Sequence, residues 1–304
     1  MSTECAISEN RMNKNVVLSV NSLRKTYHRG TGVVQALADV SLRIHAGEVL
    51  ALLGPNGSGK TTTIQCIAGL VDPDAGSIQH GTDKWTTRVL GYVSSDAQFY
   101  WMFTGEQILR NYARVGAVEP KRVEFLVSQF GMEGRLNRRW HEYSSGEQMR
   151  IRLIRSLLRD PDVMLFDEPT VGLDPATSQA VRAEIRRLSD AGKAILITSH
   201  DMSDIEEVAH HVTFLSKGRT IRTGSLKSFR QPLDFVTIEY EEEPAKVEPW
   251  MKRIDSLGGP RFDLPLGELS GAVMYGKVKS VNSHQETLES YFIRLTNDEG
   301  DGNR

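Results

Sequence analysis

Residues 54–61 read Gly-Pro-Asn-Gly-Ser-Gly-Lys-Thr, and no other segment constrains the fold of this chain as strongly. The spacing fits the phosphate-binding loop (P-loop) pattern G-x-x-x-x-G-K-[ST]. Its glycines let the backbone curl so that successive N–H groups point inward as an anion nest, and the helix that follows adds its positive end. The apolar run Val49–Leu53 predicts a buried strand before the loop, and residues 62–70 predict the helix after it. This context predicts an α/β fold that holds the phosphates of a nucleotide.

The loop residues have distinct expected roles toward ATP. Lys60 would place an ammonium on the β- and γ-phosphates, and Thr61 would offer its hydroxyl to Mg²⁺. ATP and Mg²⁺ are therefore the expected ligands. The residues expected to contact the nucleotide here are Gly54, Pro55, Asn56, Gly57, Ser58, Gly59, Lys60, Thr61 and Thr62.

Composition and charge argue against several other classes of protein. The chain has 304 residues and a formal net charge of −2, so no nucleic-acid partner is expected. It has no apolar run long enough to span a bilayer, and residues 1–15 contain no apolar segment of a signal peptide. The two cysteines, Cys5 and Cys66, lack the spacing of a metal site or a disulfide framework. We expect a cytoplasmic protein.

The order of apolar patterns predicts the architecture. Strands precede the P-loop, helices dominate the middle of the chain, and strands then alternate with helices, which implies a parallel sheet wrapped by helices. The predicted strands are 16–20, 33–36, 40–44, 49–53, 77–79, 88–93, 163–166, 194–198, 211–215 and 220–223, and the predicted helices are 62–70, 106–115, 121–130, 146–158, 176–190 and 202–208. The fold class is an α/β P-loop NTPase with an antiparallel β edge subdomain and a helical subdomain over about residues 95–160.

The character of the sequence changes after residue 230. We expect a disordered tail at 1–15, a nucleotide-binding domain at 16–230, a small C-terminal α+β domain at 231–296 and a polar tail at 297–304. In the small domain, the patterns predict a strand at 235–240 and helices at 247–257 and 288–295.

Acidic residues follow the strand predicted at 163–166. Asp167 is expected to hold Mg²⁺, and Glu168 is expected to polarise the attacking water. Taken alone, a solvated acidic pair before the turn at Pro169 explains them equally well, but the P-loop favours the functional interpretation. His200 follows the strand 194–198, at the edge where ligand groups gather in such sheets, and a structural loop histidine is the alternative.

The segment Tyr143-Ser144-Ser145-Gly146-Glu147 resembles the signature Leu-Ser-Gly-Gly-Gln of the ATP-binding subunits of ABC transporters. The resemblance covers roughly residues 16–229. It implies that two nucleotide domains face each other and that the signature of each, through Ser144 and Gly146, caps the ATP on the other's P-loop. It further implies that Tyr27 stacks on the adenine, that Asp174 lies in the loop between the two sites, and that His200 contacts the γ-phosphate.

This chain departs from that family's pattern. Ser95 stands where the family has a glutamine that links Mg²⁺ and water to the transmembrane partner, and Asp96, Gln98 or a water are the possible replacements. The signature has Tyr143 for Leu, Ser145 for Gly and Glu147 for Gln. These changes affect the expected rate of ATP hydrolysis and its coupling to the transmembrane partner more than the expected binding of ATP.

Two further segments bear on partners. The run Phe99-Tyr100-Trp101-Met102-Phe103 suits either a surface for a membrane subunit or core packing of the helical subdomain. The ending 287–296 resembles the end of drug-exporter-type ATPases with a C-terminal accessory domain, where it implies regulation or dimer support.

The resemblance implies an enzyme, the ATPase subunit of an exporter. We expect it to work as a nucleotide-sandwich dimer, in which a homodimer is favoured, with a separate transmembrane permease subunit. Its expected location is the cytoplasm, peripheral on the inner face of the cell membrane. The alternatives are a soluble ABC-type ATPase acting on ribosomes or DNA, and a weakly hydrolysing regulatory subunit.

Overall fold

The computed structural model describes residues 16–29, 32–81, 83–84, 90–95, 99, 101–229, 232–254, 260–285, 288 and 291. The described residues fall into two compact units that divide between Ser225 and Leu226. The tails predicted at 1–15 and 297–304 lie outside the described residues.

The first unit is built on a ten-stranded sheet with the strand order β5-β4-β1-β2-β10-β9-β3-β8-β7-β6. The strands are β1 (Val16–Arg29), β2 (Gly32–His45), β3 (Val49–Leu53), β4 (Ala75–His80), β5 (Asp83–Lys84), β6 (Leu90–Ser94), β7 (Val163–Asp167), β8 (Ala194–Thr198), β9 (His211–Ser216) and β10 (Arg219–Ser225). The mixed α/β fold with an antiparallel edge confirms the predicted fold class.

The parallel strands β3, β8, β7 and β6 form the centre of this unit. Every residue of β3, β7 and β8 is buried, as expected for parallel strands covered on both faces. Their register pairs Leu52 with Thr198 and Thr198 with Asp167. The carboxyl ends of the three strands therefore meet at one edge of the sheet.

The antiparallel edge differs from the prediction in the length of β1, which extends to Arg29, in the additional strand β5, and in the continuity of β2. Residues 33–36 and 40–44 belong to a single strand, β2, which pairs with β1 through several register shifts. The expected break between them is absent because the N–H groups of Ala38 and Asp39 both donate to the carbonyl of Gly218, at 2.7 and 3.0 Å. A tertiary contact, which no local pattern shows, keeps this stretch extended.

The helices of the first unit agree with the predicted ones within about two residues at each end, apart from the shorter helix after the P-loop. They are α1 (Lys60–Ile67), α2 (Gly105–Val115), α3 (Pro120–Gln129), α4 (Ser145–Leu157), α5 (Pro175–Asp190) and α6 (Met202–Val208). Within the described ranges, no helix is both long and apolar enough to cross a membrane.

The second unit contains a four-stranded antiparallel sheet in the order β12-β13-β11-β14. Its elements are α7 (Leu226–Phe229), β11 (Pro232–Tyr240), β12 (Lys252–Ile254), β13 (Arg261–Pro265), α8 (Leu269–Ala272) and β14 (Val278–Gln285). Its core contains Val236, Ile238, Tyr240, Met251, Phe262, Leu264 and Ala272.

The helix predicted at 247–257 was wrong. Residues 249–250 form a turn and 252–254 form β12, which pairs with β13, while 255–257 lie outside the described residues. Pro249 has no N–H for a helix, and the pairing with β13 supplies the hydrogen bonds that a helix would have made. Of the helix predicted at 288–295, only Leu288 and Tyr291 are described, and both are helical and buried.

Candidate nucleotide-binding site

The predicted phosphate-site residues converge at the carboxyl ends of β3, β7 and β8. The Thr198 hydroxyl donates to Asp167 Oδ1 at 2.7 Å, and the Thr61 hydroxyl lies 3.5 Å from the same oxygen. A hydroxyl and a carboxylate are the hard oxygen ligands that Mg²⁺ prefers. The structure thus brings together the two residues predicted to hold the metal.

Sequence reasoning missed Thr198. Besides its bond to Asp167, it accepts a hydrogen bond from the Glu168 N–H at its carbonyl (3.2 Å) and at its hydroxyl (3.1 Å). Thr198 therefore orients both acidic residues. The available signal was its place as a polar residue at the carboxyl end of a parallel strand, where ligand groups gather.

The glycines of the P-loop are required for different reasons. A Cβ on Gly54 (φ +156°) would lie 2.3 Å from the Leu215 carbonyl, and one on Gly59 (φ +105°) would lie 2.7 Å from the Ala36 carbonyl. Gly57 has φ +79° and no atom within 4 Å of its Cβ position. The first two glycines are therefore packed tightly against the protein, and the third leaves open space above the loop.

Lys60 and Ser58 carry polar groups that suit an anion. Lys60 Nζ donates hydrogen bonds to the carbonyls of Gly54 (2.8 Å) and Pro55 (3.3 Å) in its own loop. Burial lowers the pKa of Lys60, and the carboxylates of Glu168 and Asp167 oppose that shift. The hydroxyl of Ser58 is buried and has no hydrogen-bond partner among the described residues. A phosphate would supply a hydrogen-bond partner for the Ser58 hydroxyl and a charge opposite to that of Lys60.

A cavity of about 370 Å³ opens beside the loop. Its volume is in the range of small-molecule sites. Tyr27, partly buried, forms part of its wall together with residues 34–36, 56–62 and Glu168. A larger cavity of about 670 Å³ lies between α2 and α3 and contains none of the predicted site residues.

Glu168 and His200 form a pair at the rim of the site. Glu168 Oε2 accepts from the His200 N–H at 3.2 Å and lies 2.7 Å from His200 Nδ1. Glu168 has φ +52°, a left-handed conformation that is uncommon for this residue type. The carboxylate is mostly buried, whereas 65% of the imidazole is exposed. The arrangement joins a proton acceptor to an imidazole that faces solvent.

The remaining predicted residues form a second group at two helix ends. The Ser144 hydroxyl accepts from the Glu147 N–H at 3.3 Å and caps α4. Asp174 caps α5 by accepting from the Thr177 N–H (3.0 Å) and the Thr177 hydroxyl (2.6 Å), and these bonds lower the pKa of Asp174. A Cβ on Gly146 would lie 3.0 Å from Thr177 Oγ1, so Thr177 joins the two helix ends. Ser144, Gly146 and Asp174 do not line the cavity at the P-loop.

The segment with the unusual serine also lies at this edge of the sheet. The Ser95 N–H donates to the Asp167 carbonyl at 3.2 Å, while Asp96, Gln98 and Tyr100 lie outside the described residues. Phe99 packs edge-on against Trp140, with ring centroids 4.8 Å apart. Trp101 and Met102 are 60% and 59% exposed. Phe103 is 41% exposed, so the described part of this run divides into one packed residue and three exposed ones.

Comparisons with known proteins agree with this geometry. The sequence profile of the family described as "ABC transporter" matches residues 37–171. The ABC transporter ATP-binding protein NatA of Bacillus subtilis (strain 168) is 35% identical over 209 residues, which cover 64% of this chain and 84% of NatA. This chain belongs to the ABC transporter ATP-binding proteins. It is an ABC-type ATPase, the ATP-binding subunit of a transporter.

Two further relatives add detail. The Nod factor export ATP-binding protein I of Cupriavidus pinatubonensis (strain JMP 134 / LMG 1197) is 30% identical over 274 residues, which cover 86% of this chain and 81% of that protein. A solved dimeric ATP-binding cassette in a post-hydrolysis state, bound to ADP and Pi, has a TM-score of 0.61 and 25% identity, and the match covers 69% of this chain and 98% of that cassette.

The contact between Gly146 and Thr177 gives a stability prediction. Replacing Gly146 with Ala should give a free energy of unfolding about 1 kcal/mol lower than Gly271→Ala gives. Both changes gain helix propensity, but only the new Cβ at position 146 lies 3.0 Å from Thr177 Oγ1, which must shift to make room. Urea unfolding of the purified chain measures the change. Adding Thr177→Ala should reduce the penalty of Gly146→Ala.

Gly271→Ala is the matched control, because Gly271 lies in helix α8 and no atom is within 4 Å of its Cβ position. Equal unfolding curves for Gly146→Ala and Gly271→Ala would contradict the predicted overlap.

Proposed function

We propose that this ATPase powers an exporter as a nucleotide-sandwich dimer, favoured as a homodimer, together with a separate transmembrane permease subunit. In each of its two sites, the P-loop of one copy holds MgATP and the signature of the other copy caps it. Residues 16–230 are the ATP-binding domain in this proposal, and residues 231–296 are a small accessory domain. We place the dimer on the inner face of the cell membrane.

The P-loop group binds the phosphates in this proposal. Backbone N–H groups of residues 54–62 other than Pro55, together with the Lys60 ammonium, contact the triphosphate, and Tyr27 in the cavity wall stacks on the adenine. Thr61 and Asp167 would hold Mg²⁺, which neutralises phosphate charge when bound. The unpartnered Ser58 hydroxyl and the desolvated Lys60 support this assignment.

Glu168 and His200 supply the chemistry. Glu168 accepts a proton from the attacking water, and Thr198 fixes its backbone at the end of β7. The contact between His200 Nδ1 and Glu168 orients the imidazole and leaves Nε2 to face the γ-phosphate. Both roles use groups already in contact at the rim of the cavity.

One observation supports the proposed dimer most directly. Asp174 and Gly146 lie against Thr177, Ser144 caps the helix to which Gly146 belongs, and none of these three predicted residues lines the cavity of its own P-loop. The N-terminal end of α4, where Arg135 and Arg138 pair with Glu147, therefore offers a helix terminus with no phosphate to cap in its own cavity. A second copy would bring that terminus to the nucleotide. The dimeric relative with ADP and Pi supports the same arrangement.

The proposals of a membrane partner and of outward transport rest on other features. The chain is the ATP-binding subunit of a transporter, so a permease subunit must supply the path across the bilayer. Trp101 and Met102 offer an exposed apolar surface near the end of β6. The similarity to a Nod factor export ATP-binding protein supports the outward direction. We infer no substrate, because the permease would select it.

Glu168→Gln should abolish steady-state phosphate release while ATP binding persists, because the amide keeps the side-chain shape but cannot accept the proton. The variant should accumulate as a long-lived dimer with ATP and Mg²⁺. Phosphate release and size-exclusion chromatography measure the two effects. The control is Glu124→Gln, an exposed change of the same kind in α3. Turnover by Glu168→Gln at the rate of the unmodified protein would refute the role of Glu168.

Mixing two inactive variants tests whether each site is shared between copies. Lys60→Ala should disable the P-loop, and Ser144→Asp should disable the signature while keeping a residue that caps helices well. A mixed dimer then contains one intact site, formed by the P-loop of the second variant and the signature of the first. ATPase activity should appear only on mixing.

The doubly substituted chain, Lys60→Ala with Ser144→Asp, is the control and should stay inactive on mixing with either single variant. If the Lys60→Ala and Ser144→Asp chains together also stay inactive, then both elements belong to one copy and the sandwich is wrong.

Pull-down of the tagged chain from its own cells in mild detergent, with and without ATP, tests the membrane partner. We expect a polytopic membrane protein, and we expect a Trp101→Ser/Met102→Ser variant to recover less of it. Val115→Ser is the matched control, because Val115 is 85% exposed on the same subdomain. Recovery of ribosomes or DNA without a membrane protein would favour the soluble-ATPase alternative.

A further inference from the structure

Two departures from the family's signature contact one short segment of the helical subdomain. The Tyr143 hydroxyl donates to the Arg135 carbonyl at 2.8 Å, and the Arg138 guanidinium lies 4.8 Å from the centroid of the Tyr143 ring. Glu147 forms ion pairs with the side chains of both Arg135 and Arg138. We refer to Arg135 and Arg138 as the arginine clamp.

The two carboxylate oxygens of Glu147 have separate partners. Oε1 accepts from Arg135 Nη1 at 3.2 Å and from Arg138 Nη2. Oε2 accepts from the Ser144 N–H at 3.1 Å and from the Ser144 hydroxyl at 3.3 Å. Burial alone would raise the pKa of Glu147, but hydrogen bonds from Arg138, Ser144 and Arg135 outweigh it and lower that pKa to about 2. The carboxylate is therefore ionised and fixed on both sides.

An ionised glutamate in this position would repel a nucleotide that is brought to the signature. Glu147 lies in the first turn of α4, where its negative charge opposes the positive potential of the helix terminus. A polyphosphate brought to Ser144 would meet that charge next to the hydroxyl that should receive it. A glutamine in the same position would carry no charge. Two arginines on one carboxylate leave a net positive charge at the signature.

We propose that Arg135 and Arg138 are positioning residues that make an acidic signature compatible with ATP bound by the second copy. They neutralise Glu147 and fix it so that Ser144 faces the polyphosphate without repulsion. This inference rests on the proposed sandwich dimer. Arg138 contributes more, because it contacts both Glu147 and the Tyr143 ring and its side chain is 41% exposed, compared with 57% for Arg135.

ATP-dependent dimerisation of the full-length chain in the Glu168→Gln background tests this charge balance. The dissociation constant of the dimer is measured by analytical ultracentrifugation with ATP and Mg²⁺. Arg138→Met should weaken the dimer by about tenfold or more, because Glu147 then keeps only Arg135 as an ion-pair partner and the net positive charge facing the polyanion is lost. Adding Glu147→Gln to Arg138→Met should restore most of the affinity, because the offending charge is gone.

Three controls separate charge from loss of fold. Arg138→Lys keeps the charge and should lose less affinity than Arg138→Met. Arg150→Met removes the same charge from an exposed position in α4 and should leave the dimer unchanged. Binding of a fluorescent ATP analogue to the monomer's own P-loop should be equal in all variants, and a variant that fails this check is replaced by the corresponding Arg135 variant.

The outcomes are distinct. If the Glu168→Gln chain dimerises with ATP but Arg138→Met has no effect, or Glu147→Gln fails to rescue it, the arginine clamp is overturned and the sandwich stands. If the Glu168→Gln chain never dimerises with ATP, the sandwich fails and the inference fails with it. Weaker ATP-dependent dimerisation of Arg138→Met, with recovery when Glu147→Gln is added, supports the inference.

Discussion

The register of three buried parallel strands is the constraint on which the site depends. Pairing of β3, β8 and β7 aligns their carboxyl ends, so that the P-loop, Thr198 and Asp167 start from the same edge of the sheet. A shift of one residue would turn each of these side chains to the other face. The register is strongly specified because every residue of the three strands is buried. The apolar core therefore determines where the polar groups meet.

The polar residues of the site divide into two groups that are held by different secondary-structure elements. One group is attached to strand ends, where Thr198 joins Asp167 and Glu168 through the hydrogen bonds of a single side chain. The other is attached to the first turns of α4 and α5, where Thr177 bonds Asp174 and packs against Gly146. The strand-end group is held by the pairing of the sheet, whereas the helix-end group is held by side-chain caps. In the proposed dimer, the helix-end group of one copy would meet the strand-end group of the other.

Local signals predicted much of this molecule, and tertiary contacts explain the rest. The fold class and the helices of the first unit were predictable because they follow from local motifs and periodicity, whereas the interpretation of Asp167 and Glu168 also needed the distant P-loop. The continuous strand β2 was not predictable, because its middle depends on Gly218, far away in the chain. The strand at Lys252–Ile254 depends on a partner, β13, that was itself not predicted. The same holds within the site, where Glu147 was recognised as a departure but its two arginines became visible only in the fold.

Gly218 links parts of the nucleotide site that are distant in sequence. Its N–H donates to the Ser58 carbonyl in the P-loop at 3.0 Å, and its own carbonyl accepts from Ala38 and Asp39 in β2. Its φ of +71° and the 2.6 Å from its Cβ position to the Ala36 carbonyl exclude any side chain. The phosphate-binding loop thus depends on a further glycine that lies outside its sequence motif. A set of variants that keeps only residues 54–61 unchanged would lose the support that Gly218 gives the loop.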